Sequence, residues 1–567
     1  MTSVLSDSRF ALIITFLAIA GMVLSGHIIG RIFPGMLVFF FLGLAGLVVL
    51  TVYGQSLYST LSGAILLSVS FRAYSMYLPA SVIGADTPGN VRWMQGVIET
   101  GSADGIGSAF YTDAPLHYLF GAISSLVLGV EPAAGIGVYA ILISFFVPLI
   151  TIVLARTIGV DNVSLLAIAA ILALATTEVV RRTYWPVAQT HASIYWWLFL
   201  AVLIWQIKTP NKRFYGCLVL LTVVLALTHK LPLTLLFVLL LGLLLFSYLG
   251  VFSWGVVNKI NPGRQILGLF LPVGVVMFIQ WMYASALLGQ IINRLTGFVT
   301  SLFYSSDSGD GSFEPEAAVE APVGILAEIY PYPAEYALFW ERAHGIWLLL
   351  FGGIGWGILF LYLKKSSNRE AIQVLLLTAA ICVSLIFVGF VSVGAMNPTR
   401  PLQLIEPILV VLIIGFIYLF QSRINGDYKK VYSVGLSVFI ILLLVTQIFA
   451  ASAAADYANT PRYYLDEPES HALEKMCEVS DKEIYLDQTY SQMTHCDQNN
   501  RISREPTDPL YNANISPNEH DVVMYRQNVD VYLGVQNRWI LIWNPSQQLQ
   551  EEYHIVYDNG NTMSFHS

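Results

Sequence analysis

The chain has 567 residues, of which 56% are hydrophobic and only 12% are charged, and its mean hydropathy is +0.64. Soluble domains carry roughly a quarter of charged residues, so this composition excludes an ordinary soluble protein and predicts a polytopic α-helical membrane protein. The formal net charge is −8, and the acidic excess lies in residues 456–567, which argues against nucleic acid as a partner.

Apolar runs long enough to cross a bilayer occur throughout residues 1–455, which we assign to one transmembrane domain. A spanning helix needs about 20 mostly apolar residues, because lipid offers the backbone no partner and a helix satisfies its own N–H and C=O groups. The candidate runs are 10–29, 34–54, 57–80, 115–130, 134–156, 163–180, 189–206, 214–229, 231–250, 266–288, 345–363, 371–393, 402–420 and 431–452. The first run is expected to be a retained span, since no small-residue cleavage site follows it.

Residues 81–114 interrupt these runs and are predicted to form the first external loop. Within it, "GNVRWMQGVIETG" has the spacing of a short amphipathic helix lying in the membrane interface, with Trp93 at headgroup depth. Asp86 lies just before this helix, in the turn-forming "GADTPG". "TDAP" then predicts the start of the next helix, with Asp113 as its N-cap and Pro115 in its first turn.

Three short basic loops predict the orientation of the spans. "QIKTPNKRF" (206–214), "VNKINPGR" (257–264) and "LKKSSNRE" (363–370) are each separated by two spans, so the excess of Lys and Arg on cytoplasmic loops places all three on that side. The outer face then carries the remaining polar segments, namely 182–190, 229–232, 289–344, 394–401 and the C-terminal domain.

The number of spans is not fixed by the runs alone. If the N-terminus is cytoplasmic, three spans place 81–114 outside, but three more would place 182–190 inside, which contradicts the basic loops. Either the shortest run, 115–130, only dips into the membrane, or some runs are split or merged wrongly. We expect about 13 full spans in a multi-pass protein of the cell membrane.

Two soluble segments complete the chain. Residues 289–344 form a long external loop, and residues 456–567 combine a helical "EPESHALEKMCEV" with short β-prone runs such as "DVVMYRQ" and "YHIVYDNG". This pattern predicts a small extracytoplasmic α/β domain. Cys477 and Cys496 both lie in it and are predicted to form a disulfide in an oxidising compartment, with two free thiols as the alternative.

Three short motifs, taken in order, resemble those of the GT-C class of membrane glycosyltransferases. Asp86 after an early span, with an interfacial helix and then "PLHYL", is similar to the first external loop of that class. "LALTHKLPLTLLF" (225–237) resembles its "L-T-K-x-P" turn, and "NPTRPLQLIEPILVVL" (397–412) resembles its "R-Y-L-x-x-x-x-P" segment. The resemblance implies transfer of a sugar from a dolichyl- or polyprenyl-phosphate donor to a glycan or protein acceptor on the outer face.

The departures from the class pattern narrow this expectation. The "WWDxG" motif of oligosaccharyltransferases is missing, and "RRTYWPVAQTH" (181–191) stands where those enzymes carry a pair of acids. The resemblance therefore favours the branch that transfers one sugar, with dolichyl-phosphate-mannose or a similar donor. That branch often has two adjacent acids in the first loop, whereas Thr87 follows Asp86 here.

Residue roles follow from the resemblance. Asp86 is the expected general base, and Lys230 and Arg400, at external span ends, are expected to hold the donor phosphate. The ordinary alternatives are a turn-capping aspartate and basic side chains that reach for the membrane interface.

Further candidates flank these residues. Three of them, Arg181, Arg182 and His191, are expected to bind the donor phosphate or the acceptor sugar. His229 adjoins Lys230 and is expected to bind the donor phosphate or the substrate as well. Arg92 either faces the phosphate or lies on the polar side of its helix, which the pattern favours. His117 is ambiguous, since a lone histidine is more often structural.

Cofactors and other classes of function complete the predictions. No metal-ligand spacing is present, so no metal site is predicted, and a requirement for a divalent ion stays open. The alternatives are a lipid or solute transporter, or a non-catalytic component of surface-polymer assembly. Transport is less favoured, because the spans lack paired acids in mid-membrane and show no inverted repeat.

Overall fold

The fold was obtained as a computed structural model, which describes most of the membrane domain and parts of the C-terminal domain. The described residues are 8–29, 35–53, 57–77, 82–83, 87–184, 186–249, 262–283, 289, 292, 296, 326–328, 334–391, 399–423, 429–453, 465–479, 484–485, 522–526, 531–533, 538–541, 549–551, 554–559 and 562–566.

Helices dominate this architecture. In chain order they are α1 (Ser8–Ile29), α2 (Gly35–Val52), α3 (Leu57–Tyr77), α4 (Thr87–Thr100), α5 (Ala109–Asp113), α6 (Leu116–Leu128), α7 (Pro132–Thr157), α8 (Val163–Leu174), α9 (Thr177–Tyr184), α10 (Ala188–Lys208), α11 (Lys212–Ala226), α12 (Lys230–Tyr248), α13 (Pro262–Tyr283), α14 (Ala334–Tyr362), α15 (Arg369–Val391), α16 (Thr399–Gln421), α17 (Lys429–Ala453) and α18 (Glu467–Val479).

Within the described part of the chain, nine helices are long and apolar enough to cross a membrane, and three shorter apolar helices accompany them. The prediction of a polytopic α-helical membrane protein is therefore confirmed. The count of about 13 spans stays a prediction, because α3, α8, α11 and α17 do not meet the length or hydropathy of the nine on their own.

One end of the helix assembly, the loop face, is formed by the connections α7–α8, α10–α11 and α14–α15. Lys208 donates from its Nζ to the carbonyl of Thr157 at 3.1 Å and to the Oδ1 of Asn368 at 2.7 Å. Two of the basic loops, 206–214 and 363–370, therefore lie on one face, as the charge pattern predicts. Most of the third, 257–264, lies outside the described residues. The side of the bilayer that this face occupies stays a prediction.

The opposite end, the site face, collects the segments that the sequence assigns to the outside. The Leu116 N–H, at the start of α6, donates to the carbonyl of Leu227 between α11 and α12, at 2.9 Å. The Gln189 side chain donates to the carbonyl of Arg400 at the start of α16, also at 2.9 Å. The first external loop, the 186–189 segment and the starts of α12 and α16 therefore meet at this end.

Helix α6 explains the parity conflict. It has 13 residues, about 20 Å of helix, which is shorter than the hydrocarbon core of about 30 Å. It starts beside Leu227 on the site face, turns back at Gly129, whose φ of 65° favours glycine, and leads at once into α7. Because α7 ends at Thr157 on the loop face, α6 begins and ends on the site face. Three spans precede α6, and α8 and α9 together make one crossing after α7. Residues 182–190 then lie on the same face as 81–114, as the orientation predicted from the basic loops requires.

A buried carboxylate joins α9 to α16. Glu406 is fully buried, and its two oxygens accept the backbone N–H of Glu178, both at 3.1 Å, and one of them accepts the N–H of Val179 at 3.1 Å. The hydroxyl of Thr176 also binds it. The first N–H groups of a helix have no partner within the helix, and a carboxylate there satisfies them and complements the helix dipole. Glu406 thus caps α9 from a neighbouring helix.

The same contact corrects one argument from the sequence. Glu178 is also buried, and its carboxylate interacts with that of Glu406. The membrane domain therefore does contain a pair of neighbouring acids, which could not be recognised because the two residues are far apart in the chain. The capping of α9 by the Glu406 carboxylate is a structural role.

The C-terminal domain contains helix α18 and two small sheets. The strands are β1 (Leu326–Glu328), β2 (Ile484–Tyr485), β3 (Val522–Arg526), β4 (Val531–Leu533), β5 (Arg538–Leu541), β6 (His554–Asp558) and β7 (Thr562–His566). One sheet has the order β2-β3-β7-β6, with β2 and β3 parallel, and its buried residues pack against α18. The predicted small α/β domain is confirmed, whereas its boundary at residue 456 stays a prediction.

The second sheet links this domain to the long external segment. Its order is β1-β5-β4, and β1 pairs with β5 in antiparallel register, with Leu326 opposite Leu541. Cys477, on α18, is disulfide-bonded, while Cys496, its predicted partner, lies outside the described residues, so the pairing stays a prediction.

We expect Glu406→Ala to lower the melting temperature by several degrees, because it leaves buried N–H groups without an acceptor, at about 1–3 kcal/mol for each. Glu406→Gln keeps one acceptor oxygen and should lose less. Thermal unfolding in detergent measures the difference. Glu131→Ala is the matched control, since Glu131 is exposed and its side chain makes no capping hydrogen bond. Equal melting temperatures for both alanine variants would contradict the capping role.

Candidate functional site

The site face is built around α4, the helix that follows Asp86. Val91, Met94 and Val97 are buried on one side of α4, and Gln95 and Glu99 lie towards solvent on the other. The predicted amphipathic helix is therefore present, and its apolar side packs on α6 and α7. Its Trp93 ring contacts the rings of Tyr111 and Tyr118, with centroids 6.0 and 5.6 Å away.

Asn90 fixes α4 against the segment that leads into α10. Its Nδ2 donates to the carbonyl of Pro186 at 3.3 Å, and its Oδ1 accepts the hydroxyl of Tyr118 at 2.9 Å. Asp86 itself lies outside the described residues, so its role as a base stays a prediction. The residue after it, Thr87, is buried and begins α4.

The predicted N-cap role of Asp113 is wrong. Asp113 is the last residue of α5, and Pro115 occupies the N-cap position of α6 without a side-chain cap. The residues "TDAP" are compatible with either position of Asp113. In the structure a separate short helix, α5, precedes α6, so Asp113 ends one helix and does not start the next.

Two histidines lie in an aromatic cluster beneath this loop. His117 on α6 and His191 on α10 are both 1% exposed, with ring centroids 5.6 Å apart. The Tyr139 ring stacks on His191 at 5.2 Å, and Phe120 lies 4.8 Å from the same ring. The Tyr195 hydroxyl forms a 2.8 Å hydrogen bond with the Nε2 of His191.

Three imidazole nitrogens in this cluster have no hydrogen-bond partner among the described residues. They are both ring nitrogens of His117 and the Nδ1 of His191. Buried polar atoms are normally paired, so each unpaired one calls for an explanation such as a ligand or an ordered water. From the sequence we expected His191 to bind substrate, whereas His117 was ambiguous. The available signal for His117 was its position in the first turn of α6, which starts at the site face.

The corner between α11 and α12 holds two of the predicted site residues, His229 and Lys230. His229 is the N-cap of α12, and its Nδ1 accepts the Leu231 N–H at 3.2 Å. The Lys230 Nζ lies 5.2 Å from the centre of the Phe110 ring, which belongs to the first external loop. His117 also interacts electrostatically with His229, so this corner adjoins the aromatic cluster.

Two positively charged side chains, Lys230 and Arg400, act on His229 at this corner. Burial of the imidazole, and then the positive charges of Arg400 and Lys230, lower the pKa of His229 to about 3. His229 is therefore neutral at physiological pH, and both cations lie close enough to act on it. Arg400 is exposed at the start of α16, so its guanidinium is accessible to a ligand on the site face.

A set of amides holds α16 against the start of α10. The Gln403 Oε1 accepts from Gln189 at 3.3 Å, and its Nε2 donates to the Thr190 hydroxyl at 3.0 Å. One turn further, the Trp197 indole donates to the carbonyl of Leu404 at 2.9 Å. His191 lies between these contacts, so its ring position depends on both helices.

The other predicted residues are less closely defined. Arg181 and Arg182 lie on α9, but their side chains are outside the described part of the structure. Arg92 is half-buried on α4, and its predicted role is untested. Over the described residues, no group of three or more His, Cys, Asp or Glu side chains has an arrangement that could hold a metal ion.

Comparisons with known proteins place this geometry in a fold. No family model and no curated protein matches the sequence. Among solved structures, the apo Archaeoglobus fulgidus oligosaccharyltransferase matches with a TM-score of 0.52 and 13% identity, over 84% of this chain and 70% of that chain. ArnT from Cupriavidus metallidurans, bound to undecaprenyl phosphate, gives a TM-score of 0.47 and 12% identity, over 89% of this chain and 98% of that one.

The first of these similarities establishes the fold. The chain is a polytopic membrane protein with a GT-C-like fold, as the resemblance of its motifs implied. At 13% identity the likeness extends to the fold alone, so the chemistry has to be argued from the residues of the site face.

We expect acid to destabilise the protein through His229. Since its pKa in the folded state is about 3, and that of an unfolded histidine is about 6.5, the unfolded state binds the extra proton first. Stability is then lost as the pH falls below about 6.5, by up to about 1.4 kcal/mol per pH unit until the folded pKa is reached.

His229→Asn keeps a good N-cap acceptor and removes this titration. The wild type should therefore lose more melting temperature than the variant between pH 7.5 and 5.0 in detergent. A parallel decline of both proteins over this range would show that His229 is not held neutral.

Proposed function

We propose that the protein is a membrane glycosyltransferase that transfers one sugar from a dolichyl- or polyprenyl-phosphate donor to a glycan or protein acceptor on the outer face. Mannose is the first sugar to test. The observation that carries the proposal is the convergence of Lys230, Arg400 and two buried histidines with unpaired nitrogens at one end of a GT-C-like fold.

The cations match the donor side of such a reaction. As the bond between the anomeric carbon and the phosphate oxygen breaks, its electron pair leaves with the phosphate, and negative charge grows there. Lys230 and Arg400 are positioned to stabilise that charge, with Arg400 offering a planar fork and Lys230 a point charge. His229, whose pKa both cations lower, is neutral and adds no competing positive charge.

The acceptor side requires a base. The acceptor hydroxyl gives its proton to a carboxylate while its oxygen bonds to the anomeric carbon, a contribution of about 10²–10⁴-fold in rate. Asp86 is our candidate, because Asn90 and Tyr118 hold the following helix against Pro186 and the start of α10. This contact supports a position beside the histidine cluster for the loop that carries Asp86.

The histidine cluster suits a sugar. Sugar hydroxyls both donate and accept hydrogen bonds, and a neutral imidazole offers one donor and one acceptor. The unpaired nitrogens of His117 and His191 lie among the Tyr139 and Phe120 rings, which provide apolar surface for the ring carbons. We assign this cluster to binding of the transferred or accepting sugar.

The central experiment measures transfer of labelled mannose from dolichyl-phosphate-mannose to an outer-face glycan extract, with the purified protein in nanodiscs. Asp86→Asn should reduce transfer by at least about 100-fold if it removes the base. Asp104→Asn is the matched control, because Asp104 is an exposed acid of the same loop. Transfer that survives in Asp86→Asn would remove Asp86 from the mechanism, and no transfer by the wild type from any polyprenyl-phosphate sugar would favour a transporter.

The sugar site has a separate test. His117→Phe replaces a buried ring whose nitrogens lack protein partners, so the variant should melt at the same or a higher temperature. Transfer should nevertheless fall about tenfold or more, because a sugar hydroxyl loses its partner in a buried site. His344→Phe is the control, since His344 is buried on α14 with an unpaired Nε2 but lies outside the cluster. Equal transfer by the two variants would contradict the assignment.

A further inference from the structure

A groove on the loop face, at the end of the protein away from the candidate site, has the features of a lipid site. Its volume is about 330 Å³, and it lies between the ends of α14 and α16. No part of the proposed transfer reaction uses it, and the inference drawn from it does not depend on that reaction.

Helix α14 lines the groove with one stripe of side chains. The lining residues are Ile358, Leu361 and Tyr362 of α14, at the spacing i, i+3 and i+4, and Lys365 in the 3-10 turn that follows the helix directly. Residues at this spacing share one face of a helix. Going towards the loop face, the stripe changes from aliphatic to aromatic to basic.

Helix α16 contributes a second stripe with the same order. Its lining residues are Phe416, Leu419 and Phe420, again at i, i+3 and i+4, and Arg423 lies in the turn directly after the helix. This stripe also ends in an aromatic residue and then a cation. Both stripes extend over about 10 Å along the helix axis.

The two helices run in the same direction, so the two stripes lie level with each other. Gly352 of α14 lies against Leu409 of α16, and Gly355 lies against the backbone of Leu412. Continuing this register towards the loop face brings Lys365 alongside Arg423. The groove therefore has apolar walls in its inner part and two cations at its mouth.

The cations are not neutralised by the acid that approaches α16. Asp161 accepts a hydrogen bond from the Tyr418 hydroxyl, and neither residue lines the groove. Lys365 and Arg423 are both exposed, and no ion pair with a described carboxylate involves either of them. The groove thus presents a net positive mouth.

We propose that this groove binds an anionic phospholipid of the leaflet that contacts the loop face. The phosphate headgroup lies between Lys365 and Arg423, Tyr362 and Phe420 lie at the level of the lipid glycerol, and the first part of an acyl chain lies against Leu361 and Leu419. Apolar side chains at membrane depth with basic residues at the surface match the two chemistries of one amphiphile, and basic pockets between membrane helices are known to select anionic headgroups.

The test uses the full-length protein in nanodiscs of phosphatidylglycerol and phosphatidylcholine, with retained lipid counted by native mass spectrometry. The wild type should retain phosphatidylglycerol in preference to phosphatidylcholine. Lys365→Gln with Arg423→Gln should reduce that retention about tenfold or more. Lys364→Gln with Arg213→Gln is the matched control. Both residues lie on the loop face outside the groove, and the two substitutions remove the same amount of positive charge.

A third variant separates the groove from surface charge. Leu419→Trp fills the apolar part and keeps both cations, so it should also lose phosphatidylglycerol while the control keeps it. Equal losses by the Lys365/Arg423 and Lys364/Arg213 variants, or full retention by Leu419→Trp, would overturn the proposal. Displacement of the lipid by millimolar inorganic phosphate would overturn it as well, since it would show a site for a free anion. Melting temperatures of all variants confirm that each is folded.

Discussion

The contact between Glu406 and the first turn of α9 is the constraint on which the site face depends. In a lipid environment the free N–H groups at a helix start cannot be left to water, and α9 begins inside the membrane domain. The carboxylate of α16 supplies the acceptors. A single side chain therefore fixes where α9 starts and how α16 lies beside it.

The effect of this contact reaches the candidate site through the chain that follows α9. Pro186 accepts from Asn90, Val187 accepts from the Tyr139 hydroxyl at 3.4 Å, and Gln189 donates to Arg400. These bonds join the first external loop, α7, α10 and α16 within a few residues. The segment 186–189 thus holds together the elements that carry His117, His191 and Arg400.

The sequence predicted those features that arise from local pattern. Residue spacing along α4 showed an amphipathic helix, and the basic loops 206–214 and 363–370 showed which ends of the spans lie together, because both signals depend on near neighbours or on charge counts. The cap of α9 by Glu406 and the pairing of β1 with β5 were not predictable, since each joins residues more than 200 positions apart. The surroundings of His117 were not predictable for the same reason, because they are made by rings of α7 and α10.

The short helix α6 also depends on its neighbour α7 for its position. At 13 residues this helix is too short to be stable as an independent crossing, and only three residues separate it from α7. Gly135 of α7 lets Gly121 and Ser125 of α6 approach closely, and a side chain at Gly135 would collide with both. The ring of His117 is therefore held at its place in the aromatic cluster by a helix whose position is set by packing on α7 and not by its own length.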